Sequence, residues 1–292
     1  MNLLDSLRYL AALEQHRHFG RAAQACHITQ PALSNAIRAL EAEFGVTVVR
    51  RGRQYEGLTP EGELALAHAH RLLHEAEALR QALASAAGAP QGALQIGVVP
   101  SAVPVAAAFA AWLQAQHPGV RPVLRALSSQ AIEAGLDTLS LDLGLGFTAR
   151  PEVAQRRLVV WPQYDEPCYV LRRSDDVSAG FTLGEPIHWA DAAQLRLALL
   201  TPEMHHRAII DAAFREAGVA VPEPAVQTNS VLALLVAVRS DPSPPQRRLA
   251  AVLPGALVAS VREQPGLLAQ PLVAPEVRTP VGFMTPAAGR PT

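Results

Sequence analysis

Arg50, Arg51 and Arg53 fall within four consecutive positions of a 292-residue chain that contains no lysine. Forked guanidinium groups packed this closely suit phosphate oxygens or the edges of a minor groove. Upstream, Gln30, Ser34, Asn35 and Arg38 recur at helical spacing behind Thr29 and Pro31. Such short or forked hydrogen-bonding groups on one helix face can reach base edges in a major groove. A second set consists of hydroxyls. Ser101, Ser129 and Thr201 each follow an apolar run and precede a helical stretch, where free N–H groups can hold a carboxylate or similar anion. Ser128 adjoins Ser129, and Ser129 is the better placed of the two. Phe147 and Thr148 end another run, and His205, His206 and Arg207 stand beside Thr201 as a source of positive charge.

Composition narrows the chemistry further. Without lysine there is no Schiff base, no cofactor-anchoring amine and no phosphate-loop lysine. The 25 basic and 26 acidic residues leave a net charge of -1, so the whole-chain balance does not point to nucleic acid. Through Gly62, however, seven arginines stand against six acidic residues, and the charge is arranged rather than abundant. The two cysteines, Cys26 and Cys168, lack a CxxC pairing and fit a reducing cytoplasm. Residues 81–120 carry no charge but are broken by glycines and prolines, which argues against a membrane span. His70 and His74 are four apart on one helix, yet no ligand set completes a metal site, and none is expected. Nor is a catalytic set: Ser101 lies in Pro-Ser-Ala rather than a nucleophile elbow. Cys168 sits in an apolar run, and Gly144-Leu145-Gly146 lacks the third glycine of a dinucleotide fingerprint.

These groups must be positioned by the surrounding elements. Residues 1–59 read as short helices and a hairpin, and 60–88 as one long helix. Residues 89–292 read as alternating strands and helices of an α/β domain. Thr29 is a good N-cap with Pro31 in the first turn, and Leu33, Ile37, Leu40 and Phe44 form the buried stripe behind the polar face. A helix, a tight turn and a second helix of this kind make a helix-turn-helix. Two apolar stretches around the arginine connector add a wing. On the long helix, Leu64, Leu72, Leu79 and Leu83 lie near one face. Residues 241–245 read as an exposed proline-rich loop.

Residues 7–62 resemble the DNA-binding domain of LysR-type transcriptional regulators. The resemblance is carried by Leu7-Arg8-Tyr9-Leu10, His18-Phe19-Gly20-Arg21-Ala22-Ala23, Ile28-Thr29-Gln30-Pro31-Ala32-Leu33-Ser34, Phe44-Gly45 and Leu58-Thr59-Pro60-Glu61-Gly62. Val48-Val49 and Asn35 depart from the family pattern, and Asn35 shifts the expected base preference toward adenine. The later segments Gly97-Val98-Val99-Pro100-Ser101, Leu127-Ser128-Ser129-Gln130-Ala131-Ile132-Glu133, Leu141-Asp142-Leu143-Gly144-Leu145-Gly146-Phe147 and Leu199-Leu200-Thr201 resemble the family's regulatory domain.

The resemblance implies α plus α/β architecture: a winged helix-turn-helix, a dimerisation helix, and a two-lobed domain folded like a periplasmic binding protein. Lobe 1 would span about 92–162 plus 267–292, and lobe 2 about 163–266. It implies DNA contacts by Thr29, Gln30, Pro31, Ser34, Asn35, Arg38, Arg50, Arg51 and Arg53 on a dyad-symmetric operator. It also implies self-association to a dimer and homotetramer in the cytoplasm. A small organic anion would be the effector, with no other cofactor, held by Ser101, Ser128, Ser129, Phe147, Thr148, Thr201 and His206. The alternative is a solute-binding protein with an appended helical domain, which the helix-turn-helix and the charged first turns argue against.

Overall fold

The computed structural model describes residues 2–51, 55–85, 90–156, 158–174 and 180–287. Two compact units emerge. Of the described residues, one takes in those up to Gly92 with Gly135–Asp142, and the other Ala93–Ala134 with those from Leu143 onward.

In the first unit, α1 (Leu3–His16), α2 (Phe19–Ala25) and α3 (Gln30–Phe44) precede a hairpin of β1 (Val49–Arg51) and β2 (Tyr55–Leu58), then α4 (Pro60–Ser85). Each short helix has a local reason to start. Asn2 caps α1, His18 Nδ1 accepts from Gly20 and Arg21 N–H, and Thr29 Oγ1 accepts from Ala32 N–H. Left-handed Gly45, at φ 67°, ends α3. Leu10, Leu13, Ala22, Leu33, Ile37 and Leu40 meet in a solvent-free core that also takes in Val48 and Val49. Phe44 departs from expectation: it is 55% exposed, because α3 ends there and the stripe has run past its packing partners.

Gly62 explains the Leu-Thr-Pro-Glu-Gly stretch. A Cβ there would lie 1.9 Å from the Val48 carbonyl oxygen. That oxygen accepts from Thr59 N–H at 3.1 Å, and Thr59 Oγ1 donates to the Thr47 carbonyl at 2.6 Å. The start of α4 is thereby stitched to the strand that leads into the wing.

The second unit begins with β3 (Gly92–Val98), α5 (Val103–Gln116), β4 (Val120–Ala126), α6 (Ser129–Asp137), β5 (Leu143–Phe147) and α7 (Pro151–Gln155). The sixteen-residue β6 (Leu158–Arg173) follows, with β7 (Thr182–Leu183), β8 (Ile187–His188), α8 (Trp189–Ala192), β9 (Arg196–Leu200) and α9 (His205–Glu216). The chain closes with β10 (Val226–Thr228), α10 (Val231–Ser240), β11 (Leu249–Pro254), α11 (Gly255–Ser260), β12 (Leu267–Val273) and β13 (Arg278–Pro286).

Among the described residues, β3 to β13 form one sheet with the path β10-β9-β11-β6-β13-β5-β3-β4, while β12 pairs with β6, β7 and β8. Strand β6 joins its halves. Leu158 through Pro167 pair with β13, and Cys168 through Arg173 pair with β11 and β12. Successive β6 residues serve opposite faces. Leu171 packs with Ala251, Leu253 and α10, whereas Val170 packs with Leu199, Val252, Trp189 and Phe214. Because β12 pairs with the second half of β6, the chain returns to the first half near Arg278, later than a boundary at 267.

The proline-rich loop also differs from its sequence reading. Pro242, Pro244 and Pro245 are exposed, but Asp241 is buried. Its carboxylate accepts from Ser243 and Leu249 N–H, and its carbonyl accepts from Arg173, so the loop is tied at its base.

Candidate functional site

Helix α3 presents a divided surface. Leu33, Ile37 and Leu40 are fully buried, while Thr29, Gln30, Pro31, Asn35 and Arg38 are exposed and Ser34 is partly so. Arg38 Nη1 donates to Asn35 Oδ1 at 3.2 Å, which holds both groups together one turn apart. The capped α3 N-terminus adds partial positive charge to that face. Arg50 is exposed on the wing. The backbone of Arg51 belongs to β1, paired with Tyr55, while Arg53 lies outside the described residues. Glu41 Oε1 accepts from Val48 and Val49 N–H at 3.0 and 3.3 Å, anchoring the wing to α3. On α4, Leu64, Leu72, Leu79 and Leu83 are between 47% and 69% exposed, a run of leucines with no cover in the unit.

In the second unit, Leu127 N–H donates to the Val98 carbonyl and Val99 N–H to the Leu145 carbonyl. These bonds set the ends of β4, β3 and β5 side by side, so the residues after them converge. Ser101 and Ser129 are buried and the Oγ of each has no hydrogen-bond partner. Such groups cost free energy unless a ligand or water meets them. Ser128 Oγ instead caps α6 through Ala131 N–H.

Two of the other expected contacts are already engaged. Thr148 Oγ1 donates to the Pro280 carbonyl, and Thr201 Oγ1 donates to Glu203 Oε1 at 2.6 Å. His206 does not supply the expected positive charge. It is 4% exposed with neither ring nitrogen bonded, and burial followed by the neighbouring His205 pushes its pKa down to about 4. Its neighbour holds the polar position. His205 packs on Phe147 with ring centroids 5.0 Å apart, and its Nδ1 receives Arg150 Nη1 at 2.9 Å. Arg150 in turn holds Glu133 Oε1 at 2.7 Å. The sequence reading missed Glu133, Arg150 and His205 as a group, because no local spacing links three residues brought together by separate strand ends.

A cavity of roughly 640 Å³ opens beside these strand ends. Of the seven expected effector contacts only Ser128 lines it. Its walls come instead from Pro100, Leu127, Met204, Val231, Leu253 and Leu257, with Asn229 and Ser230 at the start of α10. The signal for the latter pair was present in the sequence: a Ser N-cap directly after a short strand. Among the described residues, no group of three His, Cys, Asp or Glu side chains could hold a metal ion.

Residues 4–63 match the family described as bacterial regulatory helix-turn-helix protein, lysR family, and residues 87–292 match the LysR substrate binding domain. The chain belongs to the LysR family. A hydrogen peroxide-inducible genes activator of Dickeya chrysanthemi is 33% identical over 168 residues, 57% of this chain and 54% of that protein. The match thus spans about half the length of that relative. A full-length OxyR point variant from Pseudomonas aeruginosa superposes with a TM-score of 0.70 at 26% identity, covering 98% of this chain and 90% of that one. CbnR in complex with its target DNA gives 0.67 at 20% identity, covering 99% and 94%, and shows the shared fold. In this LysR-family protein the helix-turn-helix occupies the first unit. The substrate-binding fold contains the serine-lined strand ends and the cavity.

Proposed function

We propose that the chain is a transcription regulator that reads a dyad-symmetric operator as a paired molecule and answers to a small molecule held in its second unit. The observation that carries the DNA reading is α3. Its apolar residues are wholly buried while Gln30, Asn35 and Arg38 stand together in solvent. A polar face so composed fits base edges, and exposed Arg50 on the wing fits phosphate. The bare leucine run on α4 supports pairing with a second copy, which would present two recognition helices to successive groove faces. Assembly to a tetramer extends that reading. The location proposed is the cytoplasm, where the DNA lies. No helix among the described residues is long and apolar enough to cross a membrane.

The regulator reading carries no catalytic role. Ser101 Oγ has no base bonded to it, and Arg150 is committed to carboxylates. A peroxide response through cysteine, which the names of some relatives suggest, finds little support in the thiols. Peroxide-reactive cysteines have thiolate character. Burial pushes Cys168 up to about 12 and also raises Cys26. A bound molecule is therefore the better signal. It acts only as far as it binds one conformation of the regulator more tightly than another.

Gel retardation on the DNA upstream of the chain's own gene tests the reading. Arg50→Ala should weaken binding on every sequence and lower the salt slope by about one. Asn35→Ala should relax base preference instead. An unchanged salt slope in the first variant, or an equal loss on all sequences in the second, would remove the assigned roles.

A further inference from the structure

We propose that the cavity beside the strand ends takes an uncharged, mainly apolar small molecule bearing one or two hydroxyl or carbonyl groups, rather than a small anion. The proposal rests on reading the second unit as an effector domain and names the chemistry of its ligand.

Volume is the first argument. Roughly 640 Å³ is the size of a site for a sizeable organic molecule, and a carboxylate of a few carbons would leave most of it unfilled. Lining is the second. Leu127, Val231, Leu235, Leu253, Leu257 and Val261 form the walls, and none of the described residues that line the cavity carries a charge. An ionised group moved from water to such walls loses its hydration without gaining a counter-ion.

The cations that follow β5 and β9 are already committed. Arg150 holds Glu133 at 2.7 Å and Glu152 at 3.3 Å, and Arg207 holds Asp211 at 2.6 Å and the Leu200 carbonyl at 2.8 Å. His206 is kept neutral by burial.

Helix N-termini are the remaining way to hold an anion, and at each of the three a first-turn N–H is missing or already bonded. Pro104 in the first turn of α5 has no N–H to offer. On α6 the Ala131 N–H goes to Ser128 Oγ at 3.2 Å, and on α10 the Ala233 N–H goes to Ser230 Oγ at 3.3 Å. Those same bonds define what the cavity does offer. Ser128 and Ser230 accept through Oγ and keep a proton to donate, whereas Ser260 donates to the Leu257 carbonyl at 2.7 Å and keeps a lone pair. With the Asn229 amide, this is a sparse mixture of neutral donors and acceptors among hydrocarbon, suited to a hydroxyl or carbonyl.

Displacement of N-phenyl-1-naphthylamine, an uncharged fluorophore, from the full chain tests this at pH 8, where octanoate is ionised. 1-Octanol should displace it at about tenfold lower concentration than octanoate, and naphthalene-2-methanol likewise ahead of 2-naphthoate. Leu232 lines the cavity yet is 69% exposed, so Leu232→Arg places a cation there without disturbing the core. This variant should bind the fluorophore more weakly and close the gap between octanol and octanoate. Equal or better competition by the anions on the unaltered chain would overturn the proposal, as would fluorophore binding indifferent to Leu232→Arg. Gel retardation with the same samples separates the two readings. Loss of DNA binding by the unaltered chain counts against the regulator, not against the ligand's charge, since displacement requires no DNA.

Discussion

Arg150 Nη1 lies 2.9 Å from His205 Nδ1, a bond that needs the imidazole neutral, with its proton on Nε2. Burial and the arginine's own charge lower the His205 pKa, which favours that form. Arg150 follows β5 in one half of the sheet and His205 opens the helix after β9 in the other, so the bond ties the two halves together.

The arginine should matter far more to stability than the histidine. Arg150→Ala leaves Glu133, which is 1% exposed, with only the longer Arg156 contact at 3.9 Å, and weakening a buried pair this way costs about 3 kcal/mol. His205→Ala removes one hydrogen bond and a ring contact, about 1–2 kcal/mol. Urea unfolding followed by tryptophan fluorescence reads this unit alone, because Trp112, Trp161 and Trp189 all lie in it. Equal losses in the two variants would show that Glu133 does not depend on Arg150.

Two buried groups should give opposite pH slopes. His206 titrates near 6.5 unfolded and about 4 folded, so its contribution is lost as pH falls from 6.5 toward 4. Glu166, which accepts from Ala256 N–H at 2.8 Å, is raised from 4.5 to about 7 by burial. Its contribution is lost as pH rises from 4.5 toward 7. Each amounts to about 3 kcal/mol, and they nearly cancel. His206→Leu should therefore make melting temperature fall as pH rises from 4.5 to 6.5, and Glu166→Gln should make it rise. Matching slopes in both variants would refute the assignment.

Gly62→Ala should damage the first unit. Its Cβ would meet the Val48 carbonyl, and relief requires moving either the wing strand or the start of α4, at about 1–3 kcal/mol. Thermal unfolding and gel retardation of the full chain should both register the change. Wild-type values would mean that the backbone yields there without cost.

Hydrogen peroxide at submillimolar concentration should leave DNA retention unaltered, and Cys26→Ser with Cys168→Ala should leave effector response intact. Both thiols are raised in pKa, by burial foremost. A peroxide-dependent shift that disappears in the double variant would restore thiol sensing.

Leu72→Glu with Leu79→Glu should halve the mass measured by light scattering at micromolar concentration. Both leucines are exposed on α4, so the unit itself should fold normally. An unchanged mass would place self-association elsewhere.

Much of the fold was legible because it is written locally. The N-cap Thr29 and the apolar period of Leu33, Ile37 and Leu40 appear as read. The apolar run around Cys168 is the second half of β6. The first half opens on the apolar residues 158–161, but Pro162, Asp165, Glu166 and Pro167 break the pattern, and it is held as strand by pairing with β13, more than a hundred positions on.

The candidate site divides in the same way. Sequence alone determined the exposed polar face of α3 proposed to read DNA, because helical period fixes which side chains leave the core together. It also placed Ser101 and Ser129 at strand ends, and both hydroxyls are buried without a partner. Only the tertiary structure decided how charge is distributed around the ligand cavity. His206 and Arg207 read as cations beside Thr201, yet one is buried neutral and the other bonded to Asp211. Whether a charge remains available depends on burial and on partners from distant segments, and residue type and spacing carry neither.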